Sequence, residues 1–173
     1  MKNASLAKKV AVVGICAATI ECAKLALAVL PNIEVVTLLC ALYGYTFGWW
    51  GILSAVVFVC AEPLVWGFGT WVISYFIHWP LVAAVFCLLG KARVRSRIIL
   101  TLAALVLTFF FGILTSLVDV GLFSGYFDRF FYRFGIYYAR GIVFYAIQIA
   151  TNAVLFPTVF LPMNKMLVRI SRE

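Results

Sequence analysis

Three acids, three arginines and three amides are the side chains in this sequence with chemistry to explain. Glu34, Glu62 and Asp119 fall at one expected end of otherwise apolar runs, with Asn32 beside Glu34. Arg129, Arg133 and Arg140 fall at the same end. Ionisable groups in or beside apolar helices are costly and face a cavity or a partner. Two readings stay open for them: a polar binding site for a small molecule, or internal ion pairs that fix an outer cap. Arg129 and Arg133 are four apart and share a face if helical; Tyr126, Tyr132, Tyr137 and Tyr138 interleave with them. An arginine fork holds carboxylate or phosphate and stacks on rings. Arg140 lies deepest in its run and most needs a partner, either a ligand or one of Glu34, Glu62 and Asp128.

Trp71, Tyr75 and Trp79 recur every four residues and line one helical face, with Trp66 just before them. They form either an interfacial aromatic belt or one wall of an apolar ligand pocket. Gln148 and Asn152 are four apart in the last apolar run. A buried amide must find a hydrogen-bond partner, on a neighbouring helix or on a ligand. Glu21 and Lys24 read as a local ion pair or one shared with another helix. His78 is the only histidine and reads as structural. The five cysteines, Cys16, Cys22, Cys40, Cys60 and Cys87, lie in apolar runs without a CxxC, so neither a disulfide framework nor a metal site is expected. No Walker A loop, HExxH or GxSxG occurs. With one histidine, an intramembrane hydrolase lacks an obvious nucleophile–base pair. An enzyme is not expected, and no cofactor.

These groups must be carried by helices in lipid. Of 173 residues, 66% are hydrophobic and 12% charged, and the mean hydropathy is +1.12. A soluble domain is roughly 45–50% apolar and about 25% charged. The spacing of breakers predicts an all-α membrane protein, a single domain over 1–173 with about six spans: 6–30, 33–47, 52–65, 71–89, 98–122 and 136–161. Gly48-Trp49-Trp50-Gly51 is expected as a turn, and Phe123 to Gly135 as a loop or interfacial helix. The second and third spans are short for a crossing, and one of them is open to a re-entrant reading. The basic start and apolar run that follows read as a retained first span, since the run carries Glu21 and Lys24 and shows no small-residue cleavage site.

Net charge is +8, but the cations sit in short connections between apolar runs. That pattern sets topology and excludes nucleic acid as the expected partner. Lys2, Lys8, Lys9, Lys91, Arg93, Arg95, Arg97, Lys165, Arg169 and Arg172 fall on one expected side, against Arg129, Arg133 and Arg140 on the other. Both termini are therefore expected in the cytoplasm, in a multi-pass protein of a prokaryotic plasma membrane.

The run Leu30-Pro31-Asn32-Ile33-Glu34-Val35-Val36-Thr37-Leu38-Leu39 resembles a segment of certain substrate-binding (S) components of energy-coupling factor transporters. So do Gly48-Trp49-Trp50-Gly51, the stretch Trp66-Gly67-Phe68-Gly69-Thr70-Trp71-Val72-Ile73-Ser74-Tyr75, and Arg140-Gly141-Ile142-Val143-Phe144-Tyr145 followed by Asn152 and Pro157. The resemblance implies a six-helix subunit that captures a vitamin or related micronutrient outside the cell. It would dock onto a membrane coupling protein driven by two cytoplasmic ATPases, which use the ATP. The family's coupling signature is a small-xxx-small pair in the first helix. Ala7 and Ala11 match it, continued by Gly14 and Ala18; such spacing lets a second helix approach closely, within the protein or from a partner. The alternative is a small multi-pass scaffold, similar to the rod-shape-determining membrane proteins, that carries no ligand.

Overall fold

The computed structural model describes residues 5–30, 33–124 and 128–171. Their chain forms six helical rods: α1 (Leu6–Ala26), α2 (Val36–Phe47), α3 (Trp49–Trp66), α4 (Trp71–Lys91), α5 (Arg97–Phe123) and α6 (Phe130–Ile170). Four of them, α3 to α6, are long and apolar enough to cross a membrane. The protein is a multi-pass helical membrane protein. Its surface agrees: Ile77, Leu81 and Leu88 on α4 and Leu102, Val106 and Phe110 on α5 are all exposed, an apolar exterior that lipid must cover.

The expected spans move at several edges. α1 ends at Ala26, and 27–30 form turns. It is 21 residues long but more charged than the four crossing helices. Trp49, Trp50 and Gly51 belong to α3 rather than to a turn. Gly48 alone joins α2 to α3, at φ +64°, a left-handed conformation that glycine adopts without Cβ strain. The largest correction concerns the last span. Helix starts at Phe130, inside the expected loop, and continues to Ile170 for 41 residues, about 60 Å at 1.5 Å per residue. A hydrocarbon core is only ~30 Å thick, so α6 projects beyond it. The extension past 161 is amphipathic: Leu161, Met163 and Leu167 pack on the core, while Lys165 and Arg169 share those turns. Pro157 sits in a π-helical turn at Phe156–Phe160, which lets the rod pass a residue with no N–H to donate.

The short α2 is the centre of the bundle. It touches each of the other five helices, and every residue from Val36 to Gly44 is buried. A Cβ on Gly44 would strike the backbone of Ala83, and one on Gly90 the backbone of Tyr45, so α2 and α4 run parallel in near-backbone contact. Tyr45, Phe86, Phe156 and Phe160 stack at its C-terminal end. At 12 residues, α2 is about 18 Å long, well short of ~30 Å of hydrocarbon. α1 starts and α6 finishes at one end of the bundle. There Lys9 lies over Trp50 and Thr46 donates to Asn164.

Candidate functional site

At the opposite end, a hollow of about 260 Å³ lies over the N-terminal end of α2. Its existence follows from length: the neighbouring helices continue where α2 has not yet begun. Lys24 and Leu27 line it from the end of α1, with Ile33, Glu34 and Val36 from the entry to α2. Trp66, Tyr75, Trp79, Phe144 and Gln148 complete the wall from α3, α4 and α6.

Glu34 caps α2. Its carboxylate accepts from the Thr37 amide at 3.1 Å and the Thr37 hydroxyl at 2.7 Å, placing negative charge at the positive end of the helix. Glu34 stands in the connection ahead of α2, outside the spanning helices. Burial pushes its carboxyl above the ordinary carboxylate range, opposed by the Thr37 bonds and by the nearby Asn152 amide. Asn152 is itself wholly buried, and its amide donates to the Thr108 hydroxyl at 3.0 Å.

Lys24 pairs with the fully buried Glu62 across α1 and α3. Its ammonium also lies 5.0 Å from the Trp66 ring, 5.3 Å from Tyr75 and 5.9 Å from Trp71, within cation–π range. Glu21 does not take Lys24 as a local partner; it accepts from the Trp66 indole N–H at 3.2 Å. A second, shallower hollow shares Lys24, Trp66 and Tyr75 with the first and adds Glu62 and Trp71. The α4 stripe is continuous: Trp71–Tyr75 and Tyr75–Trp79 meet edge to face at 4.9 and 5.5 Å.

Two residues that line the first hollow each carry a buried polar atom with no hydrogen-bond partner among the described residues. The Trp79 indole nitrogen is a donor, the Gln148 side-chain oxygen an acceptor, and both are buried. Their residues are 3% and 4% exposed, so open solvent satisfies neither. An unpaired buried polar group costs about 1–3 kcal/mol. A molecule that accepts from one and donates to the other would recover it.

Of the residues selected from sequence, Glu34, Trp66, Tyr75 and Gln148 meet at this hollow, Glu62 and Trp71 meet at its neighbour, and Asn152 lies just beneath. Asn32 lies outside the described residues. The arginines do not join them. Arg133 ties off the end of α5, donating to the Asp128 carbonyl at 2.9 Å, the Ser124 hydroxyl at 2.9 Å and the Val120 carbonyl at 3.4 Å. Arg129 is exposed at φ +44°, immediately before α6. Arg140 is exposed along α6 and, among the described residues, forms no ion pair. The expectation that depth forces a partner on it fails because the residue faces outward. Sequence reasoning did not select Lys24 or Phe144 for this site, whereas Trp79 belongs to the aromatic stripe read from the sequence as one possible pocket wall. A lone cation inside an apolar run was the available signal for Lys24.

Ala7, Ala11, Gly14 and Ala18 are all exposed on α1, and a Cβ on Gly14 would meet nothing within 4 Å. His78 packs on Trp79 and Phe111. The five cysteines are free, and no group of three or more His, Cys, Asp or Glu able to hold a metal occurs among the described residues. No family model, curated protein or solved structure matches the chain.

Proposed function

We propose that this chain is the substrate-binding (S) component of an energy-coupling factor importer, a non-catalytic subunit that captures a vitamin-sized molecule. The observation that carries the reading is the aromatic hollow with an unspent donor on Trp79 and an unspent acceptor on Gln148. A scaffold gains nothing from leaving both atoms unpaired in its interior; a binding subunit uses them to fix a ligand's orientation. The ligand fits as a small planar heterocycle held between Trp66, Tyr75 and Trp79. The arginines lie outside the hollow, and Lys24 is already neutralised by Glu62. A neutral or weakly basic ring therefore suits the site better than an anion.

The basic end of the bundle faces the cytoplasm on the charge bias, so the hollow opens outward. The exposed small-residue face of α1 is the surface for the coupling protein, whose two ATPases supply the energy. The resemblance in the stretches around Glu34, Trp71 and Arg140 supports this assignment of roles.

Thermal unfolding of the purified chain against a panel of water-soluble vitamins tests the reading, combined with native mass spectrometry for a co-purified small molecule. A compound that binds only the folded state raises the apparent melting temperature. The expected result is one heterocyclic vitamin that does so in the wild type and not in Gln148→Leu. A flat response across the panel, with no small-molecule adduct, would overturn it.

A further inference from the structure

A hollow larger than the aromatic one lies at the other end. It measures about 460 Å³ and lies between the loop before α5 and the last turns of α6. Arg95, Arg97 and Lys165 line it, with Asn164 beside them and Leu161 and Val168 as its apolar part. All three cations are exposed. Asn164 spends its side-chain oxygen on Thr46, which leaves its amide hydrogens as donors. Tyr45 donates its hydroxyl to the Val94 carbonyl, holding the basic loop against α2.

Charge is segregated around this hollow. Among the described residues the carboxylates Glu21, Glu34, Glu62, Asp119 and Asp128 belong to the opposite end, and none lines this one. Among the described residues, three cations therefore converge with no acid lining the hollow. Such a cluster attracts phosphate, which Arg binds as a fork and Lys as a point charge. The position selects the source of the phosphate. Ile98 and Leu102 are exposed immediately after Arg97, so the cations stand where the lipid-facing surface begins. Leu161 and Val168 give the hollow an apolar side that a free anion does not use.

We propose that this hollow is a binding site for the phosphate headgroup of an anionic phospholipid, held by Arg95, Arg97 and Lys165. The site is separate from the aromatic hollow and does not depend on the transporter reading.

The test is thermal unfolding and native mass spectrometry of the full chain in neutral detergent, with phosphatidylglycerol, phosphatidylcholine or inorganic phosphate added. Phosphatidylglycerol is expected to raise the melting temperature and to remain as a one-to-one adduct. The double variant Arg95→Gln/Lys165→Gln is expected to bind it roughly thirtyfold more weakly, the contribution of two cations near an anionic surface. Its melting temperature in phosphatidylcholine should match wild type, which shows that it folds. Lys8→Gln/Lys9→Gln removes the same charge elsewhere at this end and should retain the adduct. Equal stabilisation by phosphatidylcholine would overturn the proposal, as would equal loss in both double variants. Full stabilisation by inorganic phosphate would make this a free-anion site and overturn the lipid assignment.

Discussion

Lys24 and Glu62 form an ion pair between α1 and α3, with the carboxylate wholly buried and three aromatic rings around the ammonium. Removing one member of a buried pair strands the other, at a cost of about 3–5 kcal/mol. Lys24→Met should therefore lower stability strongly. Lys24→Met/Glu62→Met should recover much of the loss, because neither charge is then left alone. A double-mutant cycle by thermal unfolding in detergent measures this. Equal stability of the Lys24→Met single variant and wild type would show that the pair contributes nothing.

Gln148 behaves in the opposite way. Its buried oxygen has no partner, so Gln148→Leu should leave the empty protein as stable as wild type or up to about 2 kcal/mol more stable. The same change should weaken binding of the stabilising vitamin by tenfold or more. Isothermal titration and unfolding on the same sample separate the two effects. A large loss of stability would mean that the oxygen is satisfied within the fold.

Arg140 is exposed and apart from the hollow. Arg140→Ala should leave vitamin affinity within about twofold and stability within ~0.5 kcal/mol. A tenfold loss of affinity, read by the same titration, would return it to the site.

Gly44 sits against the backbone of Ala83. Gly44→Val forces the central helix away from α4 and should cost at least the 1–3 kcal/mol typical of overpacking. By contrast, Gly14 faces open space on α1. Gly14→Trp and Ala11→Trp should keep wild-type unfolding and vitamin affinity while abolishing uptake by cells that carry the coupling protein. Normal uptake in both would release that face from docking.

Several features were legible in the amino-acid string because they depend on local pattern. Apolar runs and their breakers marked the helices, and the four-residue spacing of Trp71, Tyr75 and Trp79 put them on one face. The internal charges Lys24 and Glu62 announced that the first and third helices carry polar partners. Periodicity could not tell where a helix ends when both flanks are aromatic, so the start of α6 at Phe130 was hidden among phenylalanines and tyrosines. The same ambiguity assigned Trp49 and Trp50 to a turn.

Sequence by itself determined that this chain is a bundle of apolar helices and that most of its cations gather toward the ends of the apolar runs. Which charged groups converge was decided only in three dimensions. Side-chain direction around a helix and the lengths of neighbouring helices set that outcome. α2 is too short to fill the bundle, so Glu34, Gln148 and Trp79 border a hollow that no spacing along the chain encodes. Arg140, equally polar and close by in sequence, points outward from α6 and is left out.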